Sequence, residues 1–206
     1  LQAIWQAETE IYDLTYISLG AGAQSSAVYG MSCLGDFGVP RAAAAIFADT
    51  QSEIADTYAH LDRLEKWGGH IIPIHRVTRG SLERVTLMEE SAPDRSDPYF
   101  ISIPAFTATP NKAPGRLRRQ CTREFKIEAL NREARRLLGY AKGDRIAGNS
   151  KARVLIGISL DEIGRVKPSQ LTWIDHAYPL IDARLTREDC LMYVEAKMGL
   201  PRPVKS

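Results

Sequence analysis

Between Ser18 and Ser26 the chain reads Ser-Leu-Gly-Ala-Gly-Ala-Gln-Ser-Ser. An apolar run from Leu14 to Ile17 precedes this stretch, and a helical pattern (Ala27, Val28, Met31, Leu34) follows it. A strand that turns through small residues into a helix presents free backbone N–H groups and the positive end of the helix dipole. That combination is an anion cradle, suited to phosphate or sulfate. Gly20 and Gly22 let the backbone approach the anion, while Ser18, Ser25 and Ser26 add hydroxyl donors beside Gln24. The same residues also fit an ordinary strand–helix turn in which glycine supplies φ > 0. The spacing matches neither Gly-x-x-x-x-Gly-Lys-Ser/Thr nor Gly-x-Gly-x-x-Gly, and the turn holds no lysine. Charge neutralisation must therefore come from elsewhere in the chain or from a metal.

Three further segments could carry chemistry. Phe47-Ala48-Asp49-Thr50 ends a second apolar run. A carboxylate there could hold a ribose hydroxyl, a metal or an amine, or it could cap a helix. Residues 116–126 read Arg-Leu-Arg-Arg-Gln-Cys-Thr-Arg-Glu-Phe-Lys, the densest basic segment, at the start of a helical pattern. Cations are disfavoured at that end of a helix, and an anionic ligand would offset the conflict. The forks of Arg118 and Arg119 suit phosphate or sulfate; a solvated basic surface is the alternative. Cys121, among these arginines, has a lowered pKa if it is exposed, or is a small buried residue. Gly157-Ile-Ser-Leu-Asp161-Glu162-Ile-Gly-Arg165 follows a later apolar run. Its two carboxylates could coordinate Mg²⁺ beside a triphosphate, or pair with the basic segment. The histidines (His60, His70, His75, His176) show no metal-ligand spacing, and His60 is expected to face solvent.

These segments need a frame to bring them together. Four apolar runs read as buried strands: 14–18, 43–48, 71–75 and 154–159. Helical patterns over 24–35 and 53–67 separate the first three, the second with Ile54, Tyr58, Leu61 and Leu64 on one face and Ser52 as N-cap. Strand–helix–strand alternation predicts a parallel sheet with right-handed crossovers. Prolines at 93, 98, 104, 110 and 114 mark a loop-rich insertion over about 77–117. A helix follows over 122–138. After the fourth strand comes an irregular stretch through Pro179-Leu-Ile181, then a helix from Thr186 with Asp189 placed for a capping box, stopping at Gly199-Leu-Pro201. In such sheets ligands sit beyond the carboxyl ends of the strands, where all four polar segments should converge.

Composition narrows the classes. With 44% apolar and 25% charged residues the chain is globular in type, and a net charge of +2 gives no global case for nucleic acid. No apolar run reaches the ~18 residues that span a bilayer, and no leader is recognisable, so the expected location is cytoplasmic and off the membrane. Three widely spaced cysteines, Cys33, Cys121 and Cys190, argue against a disulfide scaffold. Leu1–Glu10 has no clear role and reads as an N-terminal extension to one domain over 11–206. The first residue and the ending at Pro-Arg-Pro-Val-Lys-Ser206 suggest a fragment or a trimmed chain.

Taken in order, Ser-x-Gly-Ala-Gly-x-Gln-Ser, Ile-Phe-Ala-Asp-Thr with an acidic helix, Arg-x-Cys-Thr-x-x-Phe-Lys and Ile-Gly-Ile-Ser-x-Asp-Glu-x-x-Arg resemble the phosphoadenosine phosphosulfate (PAPS) reductase family of the PP-loop, or adenine nucleotide alpha-hydrolase-like, superfamily. The phage and mobile-element relatives are the most similar. The resemblance spans about 14–206 and implies a flavodoxin-like (HUP-type) α/β sheet with helices on both faces, binding ATP or a PAPS-like adenylate across its carboxyl edge. It implies that Gly20 to Ser26 hold phosphate, that Phe47–Thr50 lie by the adenosine largely through backbone, and that Arg118, Arg119 and Lys126 face phosphate or sulfate. Gly157 and Arg165 belong to the fourth motif and to the same edge. Asp161, Glu162, Arg119 and Cys121 are the candidate catalytic residues. The activity implied is adenylylation or sulfur transfer. Sulfonucleotide reduction, a non-catalytic nucleotide-binding module and nucleic-acid sulfur modification are alternatives. The usual PP-loop reads Ser-Gly-Gly-x-Asp-Ser, and here a small polar residue takes the Asp place. True sulfonucleotide reductases carry a Glu-Cys-Gly-x-His motif that this sequence lacks. Phage-type relatives carry Cys-x-x-Cys-Pro just after the equivalent of Ser206. An iron–sulfur cluster on Cys121 would thus need cysteines outside this chain, and none is expected in the chain itself.

Overall fold

The structure, a computed structural model, describes residues 12–81, 106–107, 115–116 and 122–203. Five parallel strands form its sheet: β1 (Leu14–Ser18), β2 (Ala44–Asp49), β3 (Ile74–Thr78), β6 (Ala152–Ile156) and β7 (Ile174–Ala177). Their order is β3-β2-β1-β6-β7. The chain moves outward from β1 to β3, then returns to add β6 on the other side of β1. This is an open, doubly wound α/β sheet whose direction reverses between β1 and β6. Two two-residue strands, β4 (Phe106–Thr107) and β5 (Gly115–Arg116), pair antiparallel apart from it. The rest of the expected insertion lies largely outside the described residues.

Side chains alternate across the strands and feed two cores. Ile17, Ala45, Phe47 and Leu155 point to one face, where α1 (Ala23–Leu34), α2 (Ala55–Gly68) and α5 (Arg187–Ala196) supply Ala27, Val28, Met31, Leu61, Leu64, Leu191 and Val194. Leu14, Tyr16, Ile46, Val154 and Ile174 point to the other, covered by α3 (Glu128–Leu137) through Leu130, Ala134 and Leu137. Glu133 on α3 accepts hydrogen bonds from Arg136 and pairs with His75 of β3, fixing that helix across the sheet. α1 ends on Gly35, whose φ of +74° lets its N–H reach Met31 O. Thr186 and Asp189 form the expected capping box on α5.

Several boundaries differ from the sequence reading. The third strand runs 74–78, not 71–75, because Ile71 and Ile72 donate to Gly68 O in the turn that ends α2. The fourth runs 152–156, not 154–159, because the chain leaves the sheet at Gly157. β7, read as irregular, is a strand; a four-residue Ile-Asp-His-Ala shows no alternation long enough to detect. Ser52 does not cap α2. Ile54 holds that position without a side-chain bond, and the Ser52 hydroxyl donates to Thr50 O. The helix expected over 122–138 begins as a π-helical turn, Thr122–Ile127, before α3. A short α4 (Pro179–Asp182) fills part of the stretch before α5. Among the described residues, no helix is long and apolar enough to cross a membrane.

Candidate functional site

The strand order reverses between β1 and β6, and at such a reversal an open α/β sheet ordinarily offers a ligand a crevice at its carboxyl edge. The glycine turn after β1 borders it on one side and the 157–165 segment after β6 on the other. Gly22 is the N-cap of α1, with φ −91° and ψ 176° and no side-chain capping bond; no acidic residue occupies the first turn. The N–H of Ser26 closes that turn onto Gly22 O at 3.0 Å. The preceding N–H groups, of Ala23, Gln24 and Ser25, are those an α-helix leaves unpaired. Ser25 Oγ accepts from Gly20 N and donates to Gly22 O, so its hydroxyl braces the loop itself. The residue with φ > 0 in the turn is Ala21, at +54°, and neither Gly20 nor Gly22 has positive φ. The glycines are therefore not explained by backbone conformation. Their lack of side chains leaves the approach to the N–H groups open, and nothing lies within 4 Å of a Cβ built on Gly22.

The opposite wall is locked to this turn. A Cβ on Gly157 would lie 2.6 Å from Ser25 N and 2.9 Å from Gln24 C. Only glycine lets the chain leaving β6 pass the first turn of α1. Gln24 Nε2 spans the crevice, donating to Glu162 Oε2 at 3.1 Å and to Ser159 Oγ at 3.4 Å. Arg165 Nη1 donates to the same Glu162 oxygen at 2.6 Å. Asp161 turns away, accepting from Arg187 N at the start of α5. The Ser159 hydroxyl, with the backbone N–H groups of Asp161 and Arg187, holds its carboxyl below the usual range. Asp161 and Glu162 thus serve different partners. Among the described residues, no group of three His, Cys, Asp or Glu side chains converges for a metal.

The β2–α2 loop forms the third border. Asp49 Oδ1 accepts from Gln51 N and from the Tyr58 hydroxyl, both at 2.7 Å. Burial and this carboxylate push the Tyr58 phenol up to about 12. Asp49 therefore shapes a loop in which Gln51 has φ +57°. Thr50 is buried, and its hydroxyl donates to Glu53 Oε1, the oxygen that also pairs with Lys126 Nζ at 2.8 Å. Lys126, expected to face phosphate or sulfate, is engaged with Glu53 beside the β2–α2 loop. Phe47 packs its ring in the core. Ser18 closes β1 at the same edge. Arg118, Arg119 and Cys121 lie outside the described residues. Further along, on α3, Arg135 donates to the carbonyls of Ala141 and Asp144 and Arg136 pairs with Glu133. Cys33 and Cys190 are buried, and burial pushes their thiols up to about 11 and 12.

His60 corrects the sequence reading outright. It is 2% exposed, on the buried face of α2 with Thr57, Leu61 and Leu64, and its Nε2 lies 2.9 Å from Ser26 Oγ. The spacing 57-60-61-64 is that of one helical face, in which a polar side chain gives no apolar signal. Burial, and then the Arg63 charge, push its pKa from 6.5 down to about 4. The unfolded chain therefore takes up this proton first as pH falls. The contribution of a neutral His60 is complete above pH ~6.5 and is lost progressively toward pH ~4, by up to ~3 kcal/mol. Urea midpoints measured from pH 7.5 to 4.5 should fall more steeply for the wild type than for His60→Gln; parallel curves would refute this assignment.

Similarity to known proteins adds the fold. The chain resembles the crystal structure of a PAPS reductase from Candida auris, described as a phosphate complex, with a TM-score of 0.55 and 14% identity over 98% of this chain and 81% of that one. No protein-family model matches the chain, and no curated protein matches it.

Proposed function

We propose that this chain binds an adenine nucleotide at the β1–β6 crevice and belongs with the PAPS reductase-like enzymes of the PP-loop superfamily, nearest the phage and mobile-element type. One observation carries the reading: the uncapped first turn of α1, walled by Gly157 and spanned by Gln24, at the point where the sheet reverses. The likeness to a PAPS reductase fold supports it, as does the order of the four motifs. The N–H groups of Ala23, Gln24 and Ser25 would hold a phosphate or sulfate, the β2–α2 loop would lie by the adenosine, and Arg118 and Arg119 would supply the cations that the turn lacks.

The chemistry we favour is substrate activation. An acceptor oxygen or nitrogen attacks the α-phosphorus of ATP, the bond to the bridging oxygen breaks, and pyrophosphate leaves, giving an adenylylated acceptor. Fixed N–H donors and arginine forks suit the charge that builds on the phosphoryl oxygens. Sulfur transfer from a sulfonucleotide would use the same cradle. A second reading, a nucleotide-binding module without turnover, is favoured by Asp161 and Glu162 being taken up by protein partners.

Calorimetric titration with ATP, PAPS and adenosine, followed by pyrophosphate-release assays with candidate acceptors, tests these proposals. ATP and PAPS should bind, and adenosine far more weakly. Arg119→Ala should weaken ATP about 10- to 100-fold, the scale of one charged hydrogen bond, and leave adenosine unchanged. Equal affinity of the wild type for ATP and adenosine would overturn the anion site. Binding without pyrophosphate release under any acceptor would leave the module.

A further inference from the structure

Behind the anion turn lies a polar pair that no ligand would touch. Ser26, fully buried, sits in the first turn of α1, and His60, 2% exposed, sits on α2. Their Oγ–Nε2 distance is 2.9 Å, and His60 Nδ1 is buried with no hydrogen-bond partner among the described residues. Around them the packing is apolar, with Ala27, Val28, Leu61 and Leu64 in the same core. A pair like this adds little net stability, because two apolar side chains of similar shape would serve about as well, and the orphaned nitrogen is a liability. What apolar packing lacks is direction. A hydrogen bond from the first turn of α1 to α2 fixes how that turn is rotated.

We propose that His60 is a positioning residue for the anion site: through Ser26 it sets the aim of the N–H groups of Ala23, Gln24 and Ser25. This rests on the reading of that turn as an anion site. His60 is uncharged at neutral pH, so it acts on the anion by geometry and adds no charge. α2 also begins just after the Asp49–Glu53 loop, so one bond registers two borders of the crevice against each other. Sites that bind through fixed donors depend on such support.

The test uses inorganic pyrophosphate and ATP as probes, with affinity by calorimetry and stability by thermal melting. The glutamine amide can reach the Nε2 place and the asparagine amide cannot. His60→Gln should therefore keep affinity within about threefold, and folded His60→Asn should lose about tenfold. The double variant Ser26→Ala/His60→Leu, with an apolar pair, should regain the melting temperature lost by either single change yet remain about tenfold weaker for pyrophosphate. Wild-type affinity in the folded double variant would overturn the proposal, as would affinity that recovers in step with stability. Should the double variant not fold, equal affinities of the Gln and Asn variants would overturn it. A wild type that binds neither probe would instead remove the anion reading itself, and this inference with it.

Discussion

Gly22→Asp should abolish nucleotide binding while leaving the protein as stable as the wild type or slightly more so. Gly22 has an extended backbone that any residue adopts, and a Cβ there meets nothing within 4 Å. Asp is among the best N-cap residues, because its carboxylate accepts from the N–H groups two and three positions on, here Gln24 and Ser25. Those are the donors proposed for the phosphate. The substitution therefore supplies an internal anion of the right charge in the right place, favoured by the helix dipole. Losing two charged hydrogen bonds and adding repulsion predicts at least about a 100-fold loss for ATP, with a stability change of no more than about +1 kcal/mol. Gly22→Ala is the control, since it adds a methyl group but no acceptor. Calorimetry and thermal melting of the three proteins decide the matter, and a folded Gly22→Asp protein with wild-type ATP affinity would sink the cradle.

The central strands are legible because burial on both faces leaves a trace, a nearly continuous apolar run. Leu14–Ser18 and Ala44–Asp49 are central strands, apolar on both faces, and the sequence reading placed them within one residue. β7 is an edge strand whose Asp175 and His176 are only half-buried, so the trace disappears. Helix α2 was found, but its buried face was misread. The buried face lies part of a turn away from the one that Ile54 and Tyr58 mark: Ile54 is 50% exposed, while Thr57 and His60 are buried. A hydrogen bond satisfied inside the core cannot be seen in one segment, because its partner, Ser26, is 34 residues away. The carboxylates show the same limit. Asp49, Asp161 and Glu162 stand at the carboxyl edge as their positions suggested, yet sequence could not tell that Tyr58, Arg187 N and Gln24 would engage them. Gly22 and Gly157 were the more informative residues, because a missing side chain constrains what may come close.

Gly157→Ala should damage both stability and binding, and binding more. The added Cβ would lie 2.6 Å from Ser25 N and 2.9 Å from both Gln24 C and Ser25 Cα. All three atoms are backbone, so no side chain can rotate out of the way. Either β6 must withdraw from β1, to which it is paired from Leu14 to Ser18, or the first turn of α1 must move. Overpacking of this kind costs typically 1–3 kcal/mol. The atom displaced first is one of the N–H groups that would hold the anion, so ATP affinity should fall further than that global loss suggests. Gly20→Ala is the matched control, because its Cβ would meet Ser25 Oγ at 3.8 Å, an ordinary contact. It should melt close to the wild type. Chemical denaturation and ATP titration of the pair separate packing from glycine content as such. Wild-type stability and affinity in Gly157→Ala would mean that the first turn of α1 and the chain leaving β6 are not in contact, and the crevice at the sheet reversal would lose its wall.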